Sequence, residues 1–316
     1  MVRQMVVTSA PGKVILLGEH AVVFGQPAIA VAIDLRIRSE VHPASTFTMN
    51  DSELSGATHP YIHDAIRAQW SDGPLAVETE SDLPSGSGMG SSAAVTVGVL
   101  AALRLLQRKG VDEKEIAMQA FEIESAVQGR ASPIDTSVSA HGKGIVVGPR
   151  QAPDFLWHIK KDEREWFIHH CDVPRLNLVV GFTGIHAATG PLVAKVKRYA
   201  DHTTFARDII QEIGELSAEG VKRLKENDVV RLGELMTRDH KLLAILGVSC
   251  RELDKLVMAA LPYSYGAKLT GAGGGGSMIA LTDRTEEVCE AIRMKGGTPF
   301  VVRTGVDGVR EERQGR

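Results

Sequence analysis

The feature that most constrains this chain is a glycine- and serine-rich segment that runs directly into an apolar, alanine-rich stretch. The segment consists of Pro84, Ser85, Gly86, Ser87, Gly88, Met89, Gly90, Ser91, Ser92 and Ala93. Alternate glycines let a backbone adopt positive φ and approach a ligand closely, and the stretch after them predicts a helix over residues 91–109. A helix N-terminus behind such a loop binds phosphate through free N–H groups and the helix dipole.

The segment is not a Walker A loop, because it lacks the GK[ST] ending. The hydroxyl groups of Ser91 and Ser92 are candidates for contacts with phosphate or a magnesium ion. The alternative is a flexible glycine/serine linker, which the immediate start of a strong helix disfavours.

Composition narrows the class of protein. The chain has 316 residues, 43% of them hydrophobic and 24% charged, with a net charge of −3, which predicts a globular protein of two domains. This charge disfavours nucleic-acid binding. Three scattered cysteines, no secretory leader and no apolar run of membrane-spanning length predict a cytoplasmic protein without a membrane segment.

Hydrophobic periodicity and turn residues predict mixed helices and strands in both halves. Strands are expected at 14–17, 28–33, 37–41, 176–182, 276–281 and 299–304, with a charged edge or connecting strand at 157–170. Helices are expected at 91–109, 112–128, 192–199, 205–225, 229–246 and 250–260, the second capped by Asp112 with Glu115 as its capping-box partner. The prediction is an α+β protein with domains at 1–172 and 173–316.

A second motif spans residues 10–25, APGKVILLGEHAVVFG. Lys13 abuts an apolar strand, and Glu19 and His20 follow that strand after a glycine. Such residues are often solvated charges or parts of surface turns, but polar groups at strand ends are also typical of functional sites.

A third motif, KLTGAGGGG at residues 268–276, precedes an apolar strand. Four consecutive glycines are costly to order, and close approach of the backbone to a ligand or another loop is a natural reason for them. A loose hairpin turn is the alternative.

Glu124 and Asp135 lie between these motifs, at the end of a predicted helix and after a turn. Acidic residues at such places are mostly solvated or act as caps. Phosphoryl transfer, however, needs a carboxylate for magnesium and usually another near the attacking hydroxyl, so both are candidates.

The order and spacing of the three glycine-containing motifs resemble those of the GHMP kinases. Residues 10–30, APGKVILLGEHAVVFGQPAIA, are similar to the mevalonate kinase branch, in a form as short as the archaeal or bacterial members. The resemblance implies a two-domain GHMP kinase fold. Its N-terminal α/β domain would contain a left-handed βαβ phosphate-loop unit, and its C-terminal domain would be ferredoxin-like.

The resemblance also implies roles for particular residues. Lys13 and Asp135 match catalytic positions, with Asp135 as the catalytic aspartate, and residues 84–93 match the ATP phosphate loop. Ser92 and Glu124 match magnesium ligands. The positions that match substrate contacts are Glu19, His20, Thr189 and Ala272.

The implied reaction transfers the γ-phosphoryl group of ATP to the 5-hydroxyl of mevalonate with Mg²⁺, and related enzymes imply a homodimer. Two alternatives stay open, a GHMP kinase for another substrate such as phosphomevalonate and a kinase-like sensor without catalysis. Retention of Lys13, Glu124 and Asp135 together argues against the sensor.

Overall fold

The computed structural model describes residues 5–129, 131–186 and 189–313. The strands in these ranges are β1 (Val6–Leu17), β2 (Ala28–Pro43), β3 (Thr48–Met49), β4 (Ser52–Glu53), β5 (Leu75–Ser81), β6 (Gly144–Gly148), β7 (Phe155–Lys161), β8 (Arg164–Cys171), β9 (Asn177–Phe182), β10 (Gly266–Thr270), β11 (Ser277–Leu281), β12 (Thr298–Arg303) and β13 (Arg310–Glu311). The α-helices are α1 (Pro60–Gln69), α2 (Ser91–Leu106), α3 (Glu113–Gln128), α4 (Ile134–His141), α5 (Thr189–His202), α6 (Thr204–Lys225), α7 (Val229–Ile245), α8 (Arg251–Ala260) and α9 (Thr285–Met294). Short 3-10 helices lie at Ala21–Phe24 and Leu261–Tyr263.

The larger sheet leads into the glycine- and serine-rich segment of residues 84–93, called the phosphate loop after the family resemblance. Its strands run in the order β4-β3-β5-β2-β6-β8-β7, with β1 pairing with β2 and β13. Every residue of β1 is buried, and α2 packs against β1 and β2. Because α2 is apolar on nearly all sides, it forms a central helix of this core.

The smaller sheet is antiparallel, in the order β10-β11-β9-β12. In chain order this is 2-3-1-4, the arrangement of a ferredoxin-like domain. Helices α8 and α9 pack on it, and α5 to α8 form the connection from β9 to β10. The predicted α+β fold is therefore confirmed, while the handedness of the phosphate-loop unit stays a prediction.

Several predicted boundaries are wrong. The strands expected at 28–33 and 37–41 are one strand, β2, and the strand expected at 14–17 already begins at Val6. The helix expected to reach residue 109 ends at Leu106. Arg108 adopts φ 61° and the Lys109 N–H donates to the Arg104 carbonyl at 2.8 Å, which closes the helix as in a Schellman motif.

The stretch 157–170 is a hairpin of β7 and β8 rather than one strand. The chain reverses at residues 162–163, where Asp162 has φ 54°, a conformation that aspartate tolerates better than most residues. The cap expected on the next helix is confirmed, because the Asp112 carboxylate accepts the Glu115 N–H at 2.9 Å.

The domain boundary expected near residue 172 falls between β8 and β9 and stays a prediction. The C-terminal part of the chain returns to the larger sheet, where β13 pairs with β1. No helix in the described ranges is long and apolar enough to span a bilayer.

Candidate active site

A cleft of about 1100 Å³ joins the N-terminus of α2, the end of β1 and the loop between β10 and β11. It brings together most of the residues expected from the three motifs, although these are far apart in the sequence. Those that line it are Lys13, Glu19, His20, Gly86, Gly88, Gly90, Ser91, Ser92, Glu124, Asp135 and Ala272.

Lys13 and Asp135 form an ion pair in this cleft, with 3.0 Å between Lys13 Nζ and Asp135 Oδ1. The lysine side chain is 3% exposed and the aspartate side chain 28% exposed. The ammonium group is therefore buried against the Asp135 carboxylate, while that carboxylate keeps a face open to the cleft.

The phosphate loop presents open backbone donors to the same space. Gly90 is the N-cap of α2, with φ 78°, and among the described residues it forms no side-chain cap hydrogen bond. The first N–H groups of α2 are thus available to a ligand. Gly86, Gly88 and Gly90, all with positive φ, line the cleft together with Ser91 and Ser92.

The remaining residues of the loop hold it in place. Met89 is fully buried, and its carbonyl accepts the Lys13 N–H at 2.9 Å. Ser87 is buried as well, and its hydroxyl donates to the Pro84 carbonyl at 2.8 Å. Ser85 is exposed and Ala93 is buried in α2. These residues shape the loop and do not line the cleft.

Glu124 is buried beside Ser92, whose hydroxyl donates to Glu124 Oε1 at 3.3 Å; the Gln128 amide donates to the same oxygen at 3.1 Å. Burial, reinforced by the nearby Asp135 carboxylate, raises the pKa of Glu124 to about 8. A carboxyl group in this state gains stability from a cation. In the described part of the chain no three metal-binding His, Cys, Asp or Glu side chains cluster. The oxygens of Ser92 and Glu124 are of the kind that Mg²⁺ takes as ligands.

Comparison with known proteins identifies the family. The model of the GHMP kinases N terminal domain matches residues 59–143, and that of the GHMP kinases C terminal domain matches residues 221–296. The mevalonate kinase of Pyrococcus abyssi (strain GE5 / Orsay) is 36% identical over 98% of this chain and 98% of its own length. That of Pyrococcus furiosus is 36% identical over 97% and 98%.

The chain belongs to the GHMP kinase family.

Solved structures of the family share the fold. The Methanococcus jannaschii mevalonate kinase superimposes with a TM-score of 0.80 at 25% identity, covering 94% of this chain and 98% of the other. The L. major mevalonate kinase in complex with R-mevalonate gives a TM-score of 0.80 at 26% identity, with coverages of 95% and 96%.

At the other end of the GHMP kinase cleft, His20 adopts φ 61° after Gly18. Its Nε2 lies 2.9 Å from the Ala272 carbonyl oxygen, which only accepts hydrogen bonds, so Nε2 carries the hydrogen. Burial lowers the pKa of His20 and keeps the ring neutral. Its Nδ1 is then a buried acceptor without a partner among the described residues.

Ala272 is therefore placed by the third motif, where its carbonyl holds His20. Thr270, two residues earlier, ties this loop to β1, because its hydroxyl accepts the Ile15 N–H at 2.9 Å. Thr189 begins α5, but its side chain lies outside the described part of the chain and its substrate contact stays a prediction.

Sequence reasoning missed Asp239 and assigned no role to Lys268. Both are fully buried, and Lys268 Nζ forms an ion pair with Glu19 Oε1 and lies 3.4 Å from Asp239 Oδ2. A signal for Asp239 was present, since it falls three or four residues from Leu235, Met236 and Leu243 on the buried stripe of α7.

Proposed function

We propose that this GHMP kinase is a mevalonate kinase, which transfers the γ-phosphoryl group of ATP to the 5-hydroxyl of (R)-mevalonate. The observation that carries the proposal is the Lys13–Asp135 ion pair at a cleft that also contains an uncapped helix N-terminus. The similarity of nearly the whole chain to mevalonate kinases supports the choice of substrate.

In the proposed step, Asp135 accepts the proton of the 5-hydroxyl as its oxygen attacks the γ-phosphorus. The bond from phosphorus to the bridging oxygen of ATP breaks, and ADP leaves. Lys13, with its Nζ 3.0 Å from Asp135 Oδ1, holds the carboxylate in place and favours the developing alkoxide. The first turn of α2 holds the phosphate oxygens.

The acceptors at the substrate end of the cleft suit an alcohol. Neutral His20 offers Nδ1 as an acceptor, and Glu19 offers Oε2, the carboxylate oxygen that is not bonded to Lys268. Both accept hydrogen bonds from hydroxyl groups, and neither donates to a phosphate. This favours mevalonate over phosphomevalonate, the first alternative.

We propose further that Ser92 and Glu124 hold Mg²⁺, which when bound supplies positive charge to the phosphate oxygens. The proton on Glu124, with its pKa of about 8, competes with the metal. The apparent Mg²⁺ affinity should therefore weaken as the pH falls below about 8, and the Glu124→Gln variant should lose both the affinity and this pH dependence. Isothermal titration calorimetry of Mg²⁺ binding to the protein, in the presence of a non-hydrolysable ATP analogue, measures this affinity. The same wild-type affinity at pH 6 and pH 9 would contradict the assignment.

We also propose a cytoplasmic homodimer, which the resemblance to related enzymes supports. Light scattering during gel filtration tests the dimer, and fractionation of cells that express the chain tests the location.

A coupled assay of ADP release with mevalonate, phosphomevalonate, galactose and homoserine tests the function. Turnover with mevalonate and not with the others is expected, and absence of turnover with mevalonate overturns the proposal. The Asp135→Asn variant should lose activity by about 10²–10⁴-fold while retaining nucleotide binding. If that variant kept the wild-type rate and pH–rate profile, Asp135 could not be the base. If the wild type bound nucleotide but showed no turnover with any of the four substrates, the kinase-like sensor would be favoured.

A further inference from the structure

A buried cluster of three charged side chains lies behind the substrate end of the cleft. Glu19 follows β1, Lys268 is in β10 and Asp239 is in α7. The side chains of Lys268 and Asp239 are 0% exposed and that of Glu19 is 1% exposed. The cluster therefore joins the loop that carries Glu19 and His20 to the smaller sheet and to the helix packed on it.

The hydrogen bonds of this cluster are incomplete if both carboxyl groups are ionised. Lys268 Nζ donates to Glu19 Oε1 and, at 2.8 Å, to the Leu269 carbonyl. Glu19 Oε2, Asp239 Oδ1 and Asp239 Oδ2 have no hydrogen-bond partner among the described residues. One cation neutralises one carboxylate, and a second buried carboxylate without a partner costs several kcal/mol.

One added proton neutralises the second carboxylate and also supplies a donor for the missing hydrogen bond. A protonated Asp239 is neutral and becomes a donor beside Glu19. Burial, with the adjacent Glu19 carboxylate adding to it and Lys268 opposing it, raises the pKa of Asp239 to about 8. The next ionisable group on α7, His240, pairs with Asp254 on α8 at 3.4 Å, and burial lowers its pKa to about 4. His240 is thus neutral at pH 7 and adds no charge to the cluster.

We propose that Lys268 and Asp239 are positioning residues for Glu19, and that the cluster carries one proton, shared between the two carboxyl groups. In this state Glu19 stays anchored through Oε1 by Lys268, and the adjoining His20 is held where its Nδ1 meets the substrate. The proposal rests on the proposed function only in that the substrate is taken to bind at Glu19 and His20.

Three substitutions test it in the full-length enzyme. Asp239→Asn keeps the shape and a donor but cannot share a proton with Glu19, and it is the reference protein for the pH profile of stability. Lys268→Met removes the anchor of Glu19, and the KM for mevalonate should rise about tenfold or more, since a hydrogen bond to a charged group is lost, while the KM for ATP is unchanged. Asp254→Asn, outside the cluster, is the matched control and should change neither KM.

If Lys268→Met does not fold, the pH dependence of the free energy of unfolding still tests the shared proton. The native wild type holds a proton that the unfolded chain releases above about pH 4. Its free energy of unfolding should therefore fall, relative to Asp239→Asn, as the pH rises from 5 to 8. If the free energies of unfolding of the wild type and Asp239→Asn changed with pH in parallel, the proposal of a shared proton would be wrong. Equal changes in both KM values for Lys268→Met would overturn the positioning role without affecting the proposed function, which wild-type turnover tests separately.

A second inference comes from the cations that line the cleft. Mevalonate carries a carboxylate, which has no hydrogen to donate. Glu19 and the Nδ1 atom of neutral His20 are themselves acceptors, so they cannot bind this carboxylate, and the charge of Glu19 repels it. Of the cleft-lining cations, Lys13 pairs with Asp135 and Lys197 pairs with Asp201 at 2.9 Å.

Arg164, at the start of β8, lines the cleft together with Asp162 and Glu163, and no ion pair of its guanidinium group is found among the described residues. Its guanidinium group stacks over the Trp166 ring at 5.1 Å. Stacking fixes the plane of a guanidinium group and leaves its paired N–H donors free for a carboxylate. We infer that Arg164 binds the carboxylate of the substrate, an assignment that rests on the proposed function.

Steady-state kinetics of Arg164→Gln tests this assignment. The KM for mevalonate should rise about tenfold or more, with the KM for ATP unchanged. The carboxamide analogue of mevalonate should be used equally well by the variant and the wild type. Lys197→Gln is the matched control, a cleft-lining cation that already has a carboxylate partner, and should have a smaller effect. A raised KM for ATP instead would assign Arg164 to the triphosphate and overturn the inference, as would no change in either KM.

Discussion

At the scale of single residues, Gly90 meets two demands at once. It adopts φ 78°, and a Cβ atom built on it would lie 2.9 Å from Lys13 Cγ and 3.2 Å from Lys13 Cε. The Lys13 side chain thus passes over Gly90 on its way to Asp135. The absence of a side chain at this position allows the phosphate loop and the Lys13–Asp135 ion pair to lie side by side.

Gly90→Ala should therefore lower both the stability of the protein and its kcat. The strain of the left-handed backbone costs about 1–2 kcal/mol, and displacement of Lys13 should lower kcat by about tenfold or more. Gly296→Ala is the control, because Gly296 has φ 84° with open space around its Cβ position. It should share the loss of stability in urea denaturation and retain full kcat. Equal kcat values for the two variants would contradict the steric argument.

At the scale of elements, the phosphate loop is held from two sides. The Met89 carbonyl accepts the N–H of Lys13 in β1, and the Ser87 carbonyl accepts the hydroxyl of Ser277 in β11 at 2.8 Å. Ser277 is fully buried. The loop is therefore hydrogen-bonded to both sheets. These bonds help to order a segment whose glycines would otherwise make it flexible.

Ser277→Ala removes the fastening to β11 and leaves the Ser87 carbonyl unpaired. A lost hydrogen bond of this kind costs about 1 kcal/mol, and we expect the KM for ATP to rise about fivefold while the KM for mevalonate is unchanged. Ser217→Ala is the control, since the equally buried Ser217 donates only to Ile213 of its own helix, at 2.9 Å. A selective effect on ATP confined to Ser277→Ala would bear out the role of the fastening; equal effects would refute it.

At the scale of the whole molecule, Arg36 joins the C-terminal segment to the larger sheet. Its guanidinium group donates to the carbonyls of Ser9, Asp307 and Gly308 at 2.9, 2.9 and 2.7 Å, and to the Ser9 hydroxyl at 2.7 Å. Burial lowers its pKa to about 10, so the group stays charged at neutral pH. Arg36 therefore links β1 and β2 to the segment at residues 307–308.

Arg36→Lys should destabilise the whole protein, because one ammonium group cannot reproduce the planar array of donors. We expect a loss of about 2–3 kcal/mol in the free energy of unfolding, measured by urea denaturation. Arg38→Lys, two residues along β2, is the control. Arg38 is exposed and pairs only with Glu40 at 3.6 Å, so its replacement should change stability by less than about 0.5 kcal/mol. A similar loss of stability in both variants would contradict the role of Arg36 in joining the C-terminal segment to the larger sheet.

The parts of the fold that the sequence predicts correctly are those with a strong local pattern. The alanine-rich run of α2 and the Asp112 cap of α3 are examples, because helix formation and capping depend on residues within one or two turns. The split of β2 and the end of α2 were mispredicted. Strand continuity depends on pairing with β1, β5 and β6, which lie elsewhere in the sequence.

By itself, the sequence determined the fold class and the residue types of the chemistry: a glycine-rich loop at a helix start, a lysine beside a strand, and two carboxylates. Only the tertiary structure decided which groups meet. It placed Asp135 3.0 Å from Lys13 and surrounded Glu19 with Lys268 and Asp239. The pKa values that rise or fall through burial were likewise decided by packing. Desolvation and charge contacts act between residues as far apart in the sequence as Glu19 and Asp239 and leave no local pattern.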